Sequence, residues 1–303
     1  MNDERCLPAC GNGGELMAQQ QKAQPKTTQQ KTPPPKTPPP HSVETAQTGG
    51  AQTLRRGLAV LRLLTQIGPS GLRMLEITRR LDLNKATVIR LTKTLVEEGF
   101  VLHDRQSGRY RLGPEAFAVG LAAEASYELQ RLAAPTLRAL ANESGDTVFF
   151  AVLHGYESIC LSRDEGDFPI RNQLIKPGDR WLLGVGAGAT ALLAALSDKE
   201  IEDALARTAE IRARRFPRCT DAVIHKLIAE TREWGYCVNP GLVLEDSWAV
   251  GVAVYDFEGR PVASISIAAI KSRLGASRSA ILGNRLMLAS RALTELQARE
   301  KSA

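Results

Sequence analysis

The chain has 303 residues, with 39 Lys/Arg against 33 Asp/Glu and a mean hydropathy of −0.18. That length can bury the cores of two domains, and no apolar run approaches the ~20 residues of a membrane-spanning helix. Five widely spaced cysteines (Cys6, Cys10, Cys160, Cys219, Cys237) contain no CxxC pair, which argues against a disulfide framework or a zinc ribbon. The polar N-terminus carries no signal peptide, so the default is a soluble protein in a reducing cytoplasm.

Charge is concentrated. Residues 51–113 hold 12 Lys/Arg and 5 Asp/Glu, while residues 114–303 hold 22 and 24. A basic segment on a near-neutral chain is the footprint of a nucleic-acid contact and not of a uniformly basic protein.

Residues 1–50 are Gln runs and two triple prolines, Pro33 to Pro35 and Pro38 to Pro40, with almost nothing apolar to bury. This composition predicts a disordered, solvated tail with polyproline II character. Met17 is an alternative start, and translation from it would remove Cys6 and Cys10.

Residues 54–67 predict the first helix, with Leu54, Leu58, Leu61 and Leu64 on one side, supported by Val60 and Leu63. Gly68, Pro69, Ser70 and Gly71 break it. A second helix is expected over 73–81, with Met74, Ile77 and Leu81 inward, followed by a tight turn through Asp82, Leu83 and Asn84. The third, over 84–98, has Asn84 as N-cap and Gly99 as its stop. Val88, Leu91, Leu95 and Val96 form its apolar stripe, while Ile89, Arg90, Lys93 and Glu97 lie opposite. Two helices joined by a short turn, the second one basic, form the helix-turn-helix pattern.

A hairpin should follow, with Phe100, Leu102, Tyr110 and Leu112 inward and Val101, His103, Arg109 and Arg111 outward, turning near Gly108. Helix, helix, basic helix, basic hairpin is a winged helix-turn-helix. The bet for base or nearby phosphate contacts is Thr87, Arg90 and Lys93. Lys85, Arg105, Arg109 and Arg111 should hold the duplex backbone, joined by Arg55 of the first helix.

Residues 114–127 predict a linker helix opened by Pro114 and Glu115, with Phe117, Leu121 and Ala125 on an apolar side that could pack on a second copy. Beyond it, helices are expected at 129–142, 187–196, 198–208, 221–234 and 277–299. Strands are expected at 147–153, 158–162, 170–175, 236–239, 248–255 and 261–270, the last two joined by a turn over 256–259. The fold class is therefore α+β: a winged helix-turn-helix domain (51–113), the linker helix (114–127), and an antiparallel sheet with packed helices (128–303).

The runs LRRGLAVLRLL, LEITRRLDLNKATVIRLTKTLVEEGFV and GRYRLGPEAFAVG resemble the DNA-binding half of the IclR family of bacterial transcriptional regulators. GVGAGATALLAAL, REWGYCVNPG and VGVAVYDFEGRPVASISIAA carry the resemblance through the C-terminal half. It implies a GAF-like effector domain, dimers or tetramers, a cytoplasmic location, and binding of double-stranded DNA gated by a small molecule, often an organic or aromatic acid. Carried over position by position, it places effector contacts at Gly186, Ala187, Asn239, Ala249, Ser266 and Ala268. Backbone N–H groups at a helix N-terminus suit a carboxylate at the first two. The chain departs from the family pattern at Leu242, around Asp246 and at Val254, and Trp248 is bulky for its strand.

Two other readings compete. Gly184 to Ala189 fits GxGxxA, but a dinucleotide site needs a strand after the following helix, and residues 198–208 read as another helix. GxSxG and HExxH are absent and the four histidines are scattered, so no enzyme, cofactor or metal site is expected. A redox or metal sensor built on Cys160, Cys219 and Cys237 is the other alternative; buried free thiols are the usual fate of such residues.

Overall fold

The computed structural model describes residues 49–124, 128–170 and 174–301. The expectations for the tail, for Ala125 in the linker and for the middle of the 170–175 segment lie outside the described residues.

The N-terminal module runs α1 (Gly49–Ile67), a 3-10 turn (Gly68–Ser70), β1 (Leu72–Arg73), α2 (Met74–Leu81), α3 (Lys85–Glu97), β2 (Val101–Asp104) and β3 (Arg109–Leu112). Local chemistry sets the helix ends. Glu76 accepts the Arg73 N–H at 2.8 Å, and Asn84 Oδ1 accepts the Thr87 N–H at 2.8 Å, each meeting a donor that the first turn leaves open. Asp82 closes α2 in the left-handed region (φ 50°), which Asp tolerates better than most residues, and so reverses the chain into α3.

The module's core is Val60, Leu63, Leu64, Leu72, Ile77, Val88, Leu91 and Val101. Leu54 and Leu58 are exposed, contrary to the expected stripe. The buried α1 residues Val60, Leu63 and Leu64 all lie in its C-terminal half, where they share the core with α2, α3 and β2.

The hairpin phase is also corrected. β2 starts after Phe100, and Val101 pairs with Leu112 and His103 with Tyr110, which puts Val101 in the core and Leu102 outside beside Arg111. An unforeseen third strand, β1, pairs with β3 through Leu72 and Tyr110. Gly71 (φ 60°) is needed there, since a Cβ would sit 2.5 Å from the Tyr110 carbonyl oxygen.

The C-terminal part contains α4 (Pro114–Glu124), α5 (Glu128–Ser144), β4 (Thr147–His154), β5 (Glu157–Glu165), β6 (Arg180–Leu182), α6 (Ala187–Ala194), α7 (Asp198–Arg215), α8 (Asp221–Trp234), β7 (Cys237–Asn239), β8 (Ser247–Tyr255), β9 (Pro261–Ile270) and α9 (Ala276–Lys301). Its antiparallel sheet has the order β6-β5-β4-β9-β8-β7. Of the expected strand over 170–175, the described residues Ile170, Leu174 and Ile175 lie outside any strand, and β6 takes the sheet edge. Pro169 and Pro177, which cannot donate to a ladder, flank that segment. α7 also runs beyond 208 to Arg215, where the buried Arg212 donates to Thr208 Oγ1, to the Leu205 and Cys219 carbonyls and to Asp221.

The strand sequences decide what each sheet face holds. Val250, Val252 and Val254 on β8 and Ala263, Ile265, Ile267 and Ala269 on β9 point to the face covered by α5 and α9, where they form the largest core. The alternate residues Ala249, Gly251, Ser264, Ser266 and Ala268 are small and share the face on which α6 lies. Gly251 lets α6 approach the sheet, since a Cβ there would meet the Ala187 carbonyl carbon and the Gly188 nitrogen at 2.7 Å. Bulk on one face and small residues on the other leave a hollow under the α6 N-terminus.

Candidate nucleic-acid interface and effector cavity

On α3 the outward side chains are Lys85, Ala86, Ile89, Arg90, Lys93, Thr94 and Glu97, with Lys93 and Glu97 in an exposed pair at 3.8 Å. Thr87, expected to face outward, is buried at 8% exposure, its backbone N–H held by Asn84. Arg105 sits in the exposed hairpin turn and Arg111 on the outer face of β3, while Arg55 lies on the exposed N-terminal half of α1. Arg109 is turned back: its Nη1 donates to the Gly71 carbonyl at 2.9 Å and lies 4.0 Å from Glu76. It ties the wing to the helices, while its side chain stays 39% exposed. His103 and Tyr110 stack at 4.3 Å and stiffen the same hairpin.

The structure brings all six residues expected around the effector into one cavity. Gly186, Ala187, Asn239, Ala249, Ser266 and Ala268 line it, together with Ser158, Cys160, Trp181 and Ser264 that sequence reasoning missed. Ser264 was findable, because it is two residues from Ser266 on one strand and therefore on the same face. Trp181 comes from β6, which had no sequence signal.

The volume is about 60 Å³, and a water needs roughly 10–15 Å³ of such space. No charged side chain lines the cavity among the described residues. Polarity comes from serine hydroxyls, Asn239 and the first turn of α6, whose leading N–H groups have no acceptor within the helix. Gly186 caps that helix with φ 83°, a conformation suited to glycine. A Cβ on Gly188 would sit 2.9 Å from Ser264 Oγ and 3.3 Å from Ser266 Oγ, so this glycine keeps the floor open.

Asn239 is the most informative group. It is 3% exposed, its Oδ1 accepts the Leu242 N–H at 3.1 Å, and its Nδ2 is sealed from solvent with no partner. An orphaned buried donor costs about 1–3 kcal/mol, which an acceptor placed in the cavity would offset.

Leu174 and Ile175 close one wall of the cavity. Their segment is pinned to β5, where the Cys160 N–H donates to the Asp179 carbonyl (2.9 Å) and the Gly178 N–H to the Cys160 carbonyl (2.8 Å). Burial raises the Asp179 pKa, and its Oδ2 accepts the Lys176 N–H at 2.8 Å. The same segment touches α1 through Gly178 and Thr65. Beside it, the Arg62 pKa is lowered by burial and by the charge of Arg180, which pairs with Glu157 at 3.2 Å.

The alternatives meet specific obstacles. α6 leads into α7 and not into a strand, so the GxGxxA stretch has no βαβ unit around it. Cys160, Cys219 and Cys237 are buried free thiols whose pKa values burial pushes up to about 12, about 11 and about 12. Such thiols stay protonated and are poor nucleophiles. Among the described residues no cluster could hold a metal ion, and no helix is long and apolar enough to cross a membrane.

Residues 53–105 match the IclR helix-turn-helix domain, and residues 122–295 match the bacterial transcriptional regulator IclR C-terminal domain. The HTH-type transcriptional repressor AllR of Klebsiella pneumoniae is 32% identical over 239 residues, 78% of this chain and 86% of that protein. A putative IclR regulator from Silicibacter sp. TM1040 has a similar structure, with a TM-score of 0.66 and 25% identity over 81% of this chain and 96% of that one. An IclR homologue from Microbacterium hydrocarbonoxydans, complexed with 4-hydroxybenzoate, shares the fold at TM-score 0.66 and 19% identity, covering 82% and 99% of the two chains. With both halves matched in order and transcriptional repressors as relatives, this chain is no enzyme but a member of the IclR family of transcriptional regulators.

Proposed function

We propose that the chain is a cytoplasmic transcriptional repressor whose hold on operator DNA is set by a small organic acid bound under the N-terminus of α6. Residues 51–113 read DNA, 114–127 link, and 128–303 bind the effector and oligomerise. The observation that carries the effector half is the sealed, unpartnered Asn239 Nδ2 in a cavity lined by no charged side chain among the described residues. A carboxylate there would accept from Asn239, Ser266 and the α6 backbone, with the helix dipole favouring its charge. The cavity's size favours an acid of a few carbons over an aromatic one.

On the DNA side, Arg90 and Lys93 are the groove-facing candidates on α3, with Lys85, Arg105, Arg111 and Arg55 as phosphate contacts. A homodimer would present two copies of α3 roughly 34 Å apart, one duplex turn, or a multiple of it. Exposed Leu54, Leu58, Phe117, Val119 and Leu121 on α1 and α4 supply apolar surface for a partner copy. The effector shifts occupancy only by its difference in affinity between the arrangements of these modules.

The test is DNA-binding anisotropy on upstream fragments, titrated with two- to four-carbon carboxylates and their uncharged amides. The expected result is that an acid changes occupancy, its amide acts far more weakly, and Asn239→Ala raises the acid's midpoint about tenfold. Equal action of acid and amide, or an unchanged midpoint in the variant, would overturn the reading.

A further inference from the structure

We propose that Ile89 is a specificity-determining residue of the DNA interface and reads the 5-methyl group of a thymine in each operator half-site. The proposal rests on the reading that α3 enters the major groove, and goes beyond it by naming a base.

α3 sorts its apolar residues into two sets. Val88 and Leu91 are buried in the module's core, and Leu95 and Val96 pack against it. Ile89 lies outside that core and is 45% exposed. Nothing in the folding of the module calls for it. A β-branched side chain forms a helix less readily than Lys, Arg or Gln, and here it leaves apolar surface in water. An outward isoleucine is favourable only where something apolar covers it.

The neighbouring side chains say what that is. Lys85 and Lys93 lie one turn before and after Ile89, and Arg90 follows it in the chain, all three exposed. Such a rim repels the same face of a second copy and attracts a polyanion. Within the major groove the base edges present donors and acceptors and, at thymine, a methyl group on which apolar side chains pack. Ala86, exposed one turn before Ile89, is small enough to let this part of α3 come close to those edges. Thr87 is withdrawn by burial, which leaves Ile89 and Arg90 side by side on the outer face. Consecutive helix residues are about 1.5 Å apart along the axis, so the bases they reach are neighbours. The operator should therefore hold a guanine for Arg90 and a thymine for Ile89 within about two base pairs.

Deoxyuridine, which lacks only the thymine methyl, gives a direct test. The full chain selects its site from random duplexes at fixed salt, and each thymine of the selected half-site is then replaced in turn, with binding followed by anisotropy. At one thymine the replacement should weaken the parent about fourfold per half-site, the value of one buried methyl. Ile89→Ala should bind the thymine and uracil duplexes alike at that position, and Ile89→Val should keep part of the preference. Neutral replacement at every thymine, while Arg90→Ala still relaxes the selected sequence, would overturn the assignment of Ile89 and leave α3 as the reader. A methyl preference undiminished in Ile89→Ala would give the thymine to another side chain and overturn it equally. A selected sequence unchanged in both Arg90→Ala and Ile89→Ala would overturn the reading by α3 itself, and the proposal with it.

Discussion

Gly178 packs so closely on Thr65 that a Cβ built on the glycine would lie 2.5 Å from Thr65 Cγ2. One residue belongs to the segment that walls the cavity under α6, the other to the first helix of the DNA-binding module. Gly178 also has φ +91°, so any other residue is strained there as well as crowded. Movement of Leu174 and Ile175 on ligand entry would reach α1 through this contact, resting on the function proposed above. Gly178→Ala should therefore leave acid binding by calorimetry within about threefold but cut the ligand-induced change in DNA affinity severalfold. An unaltered DNA response, with acid binding intact, would show that coupling does not pass this way.

The wing separates two kinds of arginine. Arg111 is exposed and Arg109 is folded back on Gly71, so their alanine variants should fail differently. Arg111→Ala should weaken all DNA sequences alike and flatten the log K against log salt plot by about 1. Arg109→Ala should instead loosen the hairpin, seen as faster amide exchange at Tyr110 and Arg111, with a smaller change in salt slope.

Asp146 is nearly sealed from solvent between Arg273 (Nε to Oδ1, 3.0 Å) and Arg278 (Nη2 to Oδ2, 2.6 Å), both of which also donate to the Ser144 carbonyl. Arg273 further covers the Phe168 ring at 3.8 Å. This corner fastens the α5–β4 junction to α9. Asp146→Ala should cost about 1.5–3 kcal/mol in urea unfolding, because it removes charge-assisted hydrogen bonds from two arginines that are about a quarter exposed and keep the Ser144 carbonyl. A loss below about 1 kcal/mol would mean that water replaces the carboxylate there.

Asp179 offers a pH signature of opposite sign to a salt-bridged acid. Burial raises its folded pKa above the unfolded value, so its charge opposes folding once the pH exceeds the folded pKa. Below the unfolded pKa the penalty is absent. Asp179→Asn, which keeps an acceptor for the Lys176 N–H, should therefore raise Tm at pH 7 and have little effect near pH 3. Melting curves across that range check it; a variant less stable than the parent at pH 7 would point to a role for the charge itself.

Much of this protein is determined by the sequence alone. The order of helices, the Asn84 cap, the basic α3 face and the alternation on β8 and β9 are local, and local propensity and period carry them. The six positions expected to touch an effector came from family resemblance, and the tertiary structure places them around one cavity. Tertiary contacts decided the rest. Period two cannot say which phase of a short hairpin meets a core, so Val101 and Leu102 were exchanged. Amphipathic spacing cannot say where a helix stops finding neighbours, so Leu54 and Leu58 emerged exposed. Nor could it show that Arg109 is bound at home, or that Thr87 is buried beside its cap. The same holds at the opening contact: residues 170–175 read as a strand in the sequence, and Lys176 to Asp179 after them carried no signal of their own. Only long-range packing shows that this segment stands between the cavity and the helix that leads to DNA.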